Sequence, residues 1–201
     1  MKTILAPDRS NVRMPQSLRL RLREATAAQH DRLDTAMRPP EDWRSRGDYI
    51  RFLTAQYEAR VPIEKWFGKV APAALTPPEQ SPLLAQDLEA LGAEIPVQRF
   101  EFALAGQDTP GFIGAAWVLA GSSLGNRAML HDMRRALPEN DHLPAAFLGD
   151  TAMTEFWQAL RPRIEEPCEF QDEEIAAHAA ACVFDHFLTV ARMTRPKVGT
   201  R

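Results

Sequence analysis

The chain has 201 residues, of which 45% are apolar and 25% charged, and a net charge of −3 at pH 7. This is the profile of one globular domain able to bury its own core, and it excludes a general affinity for nucleic acid or an anionic membrane. Two cysteines outside any motif, Cys168 and Cys182, exclude a disulfide framework.

No uninterrupted apolar run reaches the ~18 residues of a membrane span. The stretch Met1–Ser10 lacks the apolar core of a signal peptide. The expectation is a cytoplasmic protein with neither membrane nor nucleic acid as partner.

Residues 1–15 are largely polar, contain Pro7 and Pro15, and read as a flexible N-terminal arm. A single all-α domain is expected over 16–193, followed by a basic C-terminal tail, 194–201. Ser17 can cap a first helix that runs to Met37, where Arg38-Pro39-Pro40 stops it. Leu22, Thr26, His30, Leu33 and Met37 recur at helical spacing. That stripe puts His30 on the buried face. Asp34, one turn on, can hold one ring nitrogen and leave the other as a metal donor.

A second helix is expected from Asp48 to Val70, with the stripe Ile50, Leu53, Tyr57 and Val61. Pro62 should kink or divide it. Residues 71–82 are proline-rich and read as a connection. A short helix, Leu83–Leu91, ends at Gly92 as C-cap. Residues 93–105 have no clear periodicity, and 106–110 form a loop.

Thr109-Pro110 opens a long helix that runs to Leu137-Pro138. Within its apolar run, Phe112–Leu130, Gly121 and Gly125 stand four residues apart and share a face. Each glycine costs a helix interior about 1 kcal/mol relative to alanine. A face without side chains suits either close packing on another helix or a flat ligand pressed against the backbone. After a polar loop, Glu139–His142, a helix is expected over Thr151–Arg161, ended or kinked by Pro162. Asp172 can cap the last helix, Glu173–Met193. No repeat and no strand alternation emerge. The fold class is all-α, a multi-helix bundle.

Other candidate clusters are weaker. His178, Cys182 and His186 share a face of the last helix, but three ligands spread over two turns span ~12 Å, too far for one ion. A di-iron bundle needs two Glu-x-x-His pairs on helices. The only such spacing, Glu139 to His142, falls in the loop, so Glu165, Glu166, Asp172, Glu173 and Glu174 read as helix-end charges. Met129 and Met133 read as core, and His131 as surface.

Two motifs carry a resemblance. Leu22-Arg-Glu-Ala-Thr-Ala-Ala-Gln-His30 is similar to the proximal-helix pattern L-x-E-A-T-x-x-x-H of the heme oxygenase family. Leu119-Ala-Gly-Ser-Ser-Leu-Gly125 resembles the distal-helix pattern Y-V-L-E-G-S-T-L-G-G-R of its bacterial members. Fainter similarity runs through Tyr49-x-x-Phe52-Leu53, Pro62-Ile-Glu64, Asp87-Leu-x-x-Leu91-Gly92 and Phe147-x-Gly149 ahead of Trp157. Asn126 replaces the usual glycine, Ala120 the usual Glu, and Trp117 the usual Tyr.

The resemblance implies heme clamped between the first, proximal helix and a glycine-kinked distal helix. It implies His30 as axial iron ligand, Asp34 orienting it, and Thr26 close by. Gly121, Ser122 and Gly125 would form the distal wall, with the amide of Asn126 available to a bound ligand. Arg23, and more weakly Arg127 and Arg19, would meet the propionates. The implied reaction converts heme, O₂ and electrons to biliverdin, CO and Fe²⁺. Electrons would come from a ferredoxin or reductase, since no flavin or nicotinamide fingerprint is present, and a bacteriophytochrome is a conceivable recipient of biliverdin. The alternatives are a non-catalytic heme carrier or sensor on the same fold and, with less support, a thiaminase-like relative using Cys168 or Cys182.

Overall fold

The computed structural model describes residues 16–37, 45–105, 108–136 and 143–194. The expected arm, 1–15, the loop Glu139–His142 and all but Thr194 of the expected tail lie outside the described residues. Among the described residues every regular element is helical: α1 (Leu18–Met37), α2 (Arg46–Val70), α3 (Ser81–Ala90), α4 (Thr109–Ala136), α5 (Ala152–Glu165) and α6 (Phe170–Thr194), with a 3₁₀ turn at Ala73–Leu75.

Several boundaries differ from the periodicity for local reasons. The Ser45 hydroxyl accepts from Asp48 N at 3.1 Å, so α2 begins at Arg46, before Asp48. Neither internal proline ends its helix. Pro62 removes the donor that Glu58 O would have used, and Gln98 Nε2 supplies a replacement at 3.2 Å. Pro162 lies one turn from the end of α5, and the helix continues to Glu165. α6 starts at Phe170, so Asp172 is not its cap. Asp172 and Glu173 lie in its first turn instead, where the helix dipole favours carboxylates. Gly92 does close α3, with φ +65.

α6 is the central packing element, in contact with α1, α2 and α4, while α5 covers α4 and α3 covers α2. α1 docks through Leu18, Leu22 and Thr26. Its start is tied down by Leu18 N donating to Glu166 O (3.1 Å) and Arg21 Nε donating to Glu173 Oε2 (3.0 Å). A second cluster joins Tyr49, Phe52 and Leu53 of α2 to Leu84 and Leu88 of α3, Leu130 and Met133 of α4, and Phe147-Leu148. Buried carboxylates fix the connections around it. Asp87 accepts from Ala146 N (2.8 Å) and Phe147 N (2.9 Å), and Glu64 accepts from Gln80 N (2.9 Å) and Ser81 N (3.2 Å).

One line of α4 decides how the bundle is spaced. Gly111, Gly114, Val118, Gly121 and Gly125 recur at steps of three and four and share a face. Its first half is pressed onto α6. A Cβ at Gly114 would sit 2.0 Å from Ala176 O, so the two backbones touch there. Further along, a Cβ at Gly121 would make ordinary contact with Trp157 of α5 at 3.7 Å, and one at Gly125 would meet nothing within 4 Å. The tight helix contact is therefore at Gly114, not at the Gly121–Gly125 pair. α4 remains one helix through both of those glycines.

Gly114→Ala forces α4 and α6 apart at their closest point, and the expected loss is about 3 kcal/mol. Urea unfolding of the variant beside the parent checks this; an unchanged midpoint would show that the contact is not tight.

Candidate functional site

His30 does not lie on the buried face of α1. Its side chain is 58% exposed. The buried stripe runs Leu18, Leu22, Thr26 and then turns toward Gln29 and Leu33, which leaves His30 on the shoulder of the helix. The ring meets the edge of Phe184 of α6, centroids 6.0 Å apart. Nδ1 stands 3.3 Å from Asp34 Oδ2. The expected His30–Asp34 pair is therefore formed, and it leaves Nε2 uncommitted. Thr26 is buried and its hydroxyl donates to Leu22 O at 2.8 Å, so it is spent on its own helix.

On α4, Ser122 and Gly125 are exposed and Gly121 is half-buried. Asn126 is not part of this face. It is buried in the stripe Leu119, Ser123, Asn126, Leu130, Met133, which turns toward the core. Helix geometry is the reason: the residue after Gly125 is rotated ~100° from it. Arg23 and Arg127 are exposed and form no ion pair with another described residue, whereas Arg19 Nη1 holds Glu165 Oε1 at 2.7 Å. α1 and α4 both pack on α6, so the exposed imidazole and the bare glycine face belong to two helices braced by the same third one.

Behind the glycine face lies a charge that the sequence reading missed. Arg60 of α2 is 1% exposed. Its Nη2 donates to Ser122 Oγ at 2.7 Å and its Nε to Gln56 Oε1 at 3.1 Å, while Nη1 is buried without a partner. The guanidinium carbon lies 5.2 Å from the Phe147 ring centroid and 5.8 Å from that of Phe187. Burial pulls its pKa down to about 10, opposed by Glu64, which leaves it protonated at neutral pH. The signal was present: Leu53, Gln56, Arg60, Ile63 and Phe67 are in helical register. The expected α2 stripe, Ile50, Leu53, Tyr57 and Val61, is rotated from the true one, since Ile50, Tyr57 and Val61 are only half-buried.

No protein-family model and no curated protein matches the sequence. Solved structures do match the fold. One is the NO- and CO-bound heme oxygenase from Neisseria meningitidis, with a TM-score of 0.63, 20% identity, and coverage of 89% of this chain and 92% of that one. Another is heme oxygenase from Leptospira interrogans, with a TM-score of 0.57, 15% identity, and coverage of 89% and 100%. The all-α bundle expected from periodicity thus has, more narrowly, a heme oxygenase-like fold.

The remaining candidates separate. The described residues include no group of three or more metal-capable side chains. His178 Nε2 and Cys182 Sγ approach to 3.6 Å, but His186 is engaged elsewhere. Its Nε2 donates to Ala59 O at 3.1 Å, and its ring is met edge-on by Phe100, Phe102 and Phe187. Burial raises both thiol pKa values, the opposite of what a nucleophilic cysteine needs. Glu165 pairs with Arg19 and Arg161, and Glu173 with Arg21. Met133 is buried, with Met129 packed against the same cluster, and His131 is exposed. Two cavities, of about 400 Å³ beside Asp108, Glu174 and His178 and about 370 Å³ beside Arg32, Thr35 and Arg192, include neither His30 nor the glycine face.

Burial lowers the His186 pKa from its ordinary 6.5. A depressed folded-state pKa means that the unfolded chain binds the proton more readily. The contribution of His186 is therefore fully present above pH 6.5 and is lost as pH falls through the folded-state value. The unfolding midpoint should fall with pH below about 6.5, and less steeply in His186→Gln. Parallel pH profiles for variant and parent would assign the slope to other groups.

Proposed function

We propose that the chain binds heme as its substrate, between His30 on α1 and the Gly121–Gly125 face of α4, and cleaves it with O₂ and electrons to biliverdin, CO and Fe²⁺. The observation that supports this reading is that two helices packed on the same α6 carry an exposed, carboxylate-oriented imidazole on one and, on the other, a glycine pair open at Gly125 among the described residues. The residues fit the group. A planar macrocycle needs a donor on one side and a wall without side chains on the other, and Gly125 provides space that a Cβ would fill.

Each part has a physical role. Asp34 holds the proton on Nδ1, which keeps the Nε2 lone pair directed outward. The Gly121–Gly125 backbone lets the distal wall lie close to the macrocycle plane. The exposed guanidinia of Arg23 and Arg127 suit the propionates at its edge. Heme supplies the iron that activates O₂. Electrons come from a separate ferredoxin or reductase, because the sequence carries no flavin or nicotinamide fingerprint.

Hemin titration tests the binding half: a shifted Soret band with one equivalent bound is expected, and His30→Ala should change that spectrum and weaken binding at least about tenfold, the scale of ~1.4 kcal/mol. Addition of reductant and O₂ tests the chemistry. Loss of the Soret band with growth of a biliverdin band supports the enzyme, and a stable Soret band reassigns the protein as a carrier or sensor. Gly125→Leu separates wall from scaffold. Its side chain enters open space, so thermal stability should hold or rise by up to about 1 kcal/mol while hemin affinity falls. Equal affinity in the variant would remove α4 from the site.

A further inference from the structure

Arg60 is more than a core residue, and its surroundings say what it does. A buried guanidinium normally meets a carboxylate. The nearest candidates are taken: Glu64 accepts from Gln80 N and Ser81 N, and Glu58 is bound by Arg99 through Nε (2.8 Å) and Nη2 (3.1 Å). Arg60 is instead held by an amide, a hydroxyl and two aromatic faces, with no direct ion pair among the described residues and Glu64 acting on its charge only from a distance. Its one link toward the outside is Ser122. Ser122 is an exposed residue of α4 beside Gly121, and its half-buried hydroxyl accepts from Arg60 and donates to Leu119 O at 2.7 Å.

The consequence is geometric. At Gly114 the backbones of α4 and α6 touch at Ala176. At Ser122 the two helices are bridged by the guanidinium, which reaches Ser122 on one and the Phe187 ring on the other. Arg60 thus stands between the two helices, and on α4 its guanidinium is held by the Ser122 oxygen.

We propose that Arg60 is a positioning residue that sets the electrostatic potential over the Gly121–Gly125 face, through Ser122, and so tunes whatever binds there toward electron-rich states. This rests on the heme reading above. For heme, a fixed positive charge behind the distal wall favours the ferrous over the ferric form and draws electron density toward the outer atom of an iron-bound diatomic probe.

The test uses the full chain loaded with hemin, comparing the parent with Arg60→Gln, Arg60→Lys and Ser122→Ala. Removing the charge in Arg60→Gln should shift the ferric–ferrous equilibrium toward ferric by roughly tenfold, the scale of a unit charge acting over ~10 Å at an effective dielectric of ~20. The C–O stretch of the ferrous CO complex should rise. Arg60→Lys should restore both values toward those of the parent, which a merely structural arginine would not require. Ser122→Ala, which removes the oxygen that accepts from Arg60 Nη2, should lower the C–O stretch, because no hydroxyl oxygen then stands between the charge and the face.

Normal hemin binding with an unchanged equilibrium and C–O stretch in Arg60→Gln overturns this inference and leaves the heme reading standing. Where Arg60→Gln does not fold, an unchanged C–O stretch in Ser122→Ala overturns it equally. Failure of the parent to bind hemin overturns both.

Discussion

The contact between Gly114 and the backbone of Ala176 sets the spacing of this bundle. Two helices that touch through their backbones at one point, with larger side chains further along, must separate. Toward Ser122, Phe187 and Arg60 stand between α4 and α6. A side chain at 114 would move the point of closest approach and with it the glycine face, the seat of Arg60 and the position of α6 under α1. His30 rests on Phe184 of that same helix. The geometry of both candidate walls therefore traces back to one missing Cβ.

Most of the helical architecture was legible in the chain because it rests on local signals. Ser17, Gly92, Thr109-Pro110 and the 3.6-residue stripes located the elements to within a few residues. The errors have physical causes. Pro62 does not divide α2, because Gln98, far off in sequence, takes over the freed carbonyl. The α2 stripe was read one step out of phase because Glu58, Arg60 and Glu64, all charged, occupy buried positions. A hydrophobicity pattern counts them as surface. Their partners, Arg99, Ser122, and the amides of Gln80 and Ser81, come from other elements.

Part of the candidate site was legible in the same way. The His30–Asp34 pair follows from four-residue spacing and is formed. Gly121 and Gly125 were correctly grouped as one face, but spacing could not tell a packed glycine face from an open one. The packing of α5 and α6 against α4 decides that. The motif leaves Asn126 free to face a bound ligand or to turn away; one step along a helix turns a side chain by ~100°, and Asn126 is buried.

The α4 glycines finally separate what folding requires from what it does not. Gly114 is explained by the fold, since any larger residue collides with Ala176 O. Gly68 of α2 is open too, but it stands in the last turn, where a weak helix former costs little. Gly125 has neither excuse. It stands eleven residues from the described end of α4 with nothing within 4 Å of its absent Cβ. Helix propensity there opposes glycine by about 1 kcal/mol, and no contact at that position among the described residues offsets it. A destabilising residue at an open position, next to a hydroxyl held by a buried charge, is what the proposed seating of a flat ligand on that face would explain.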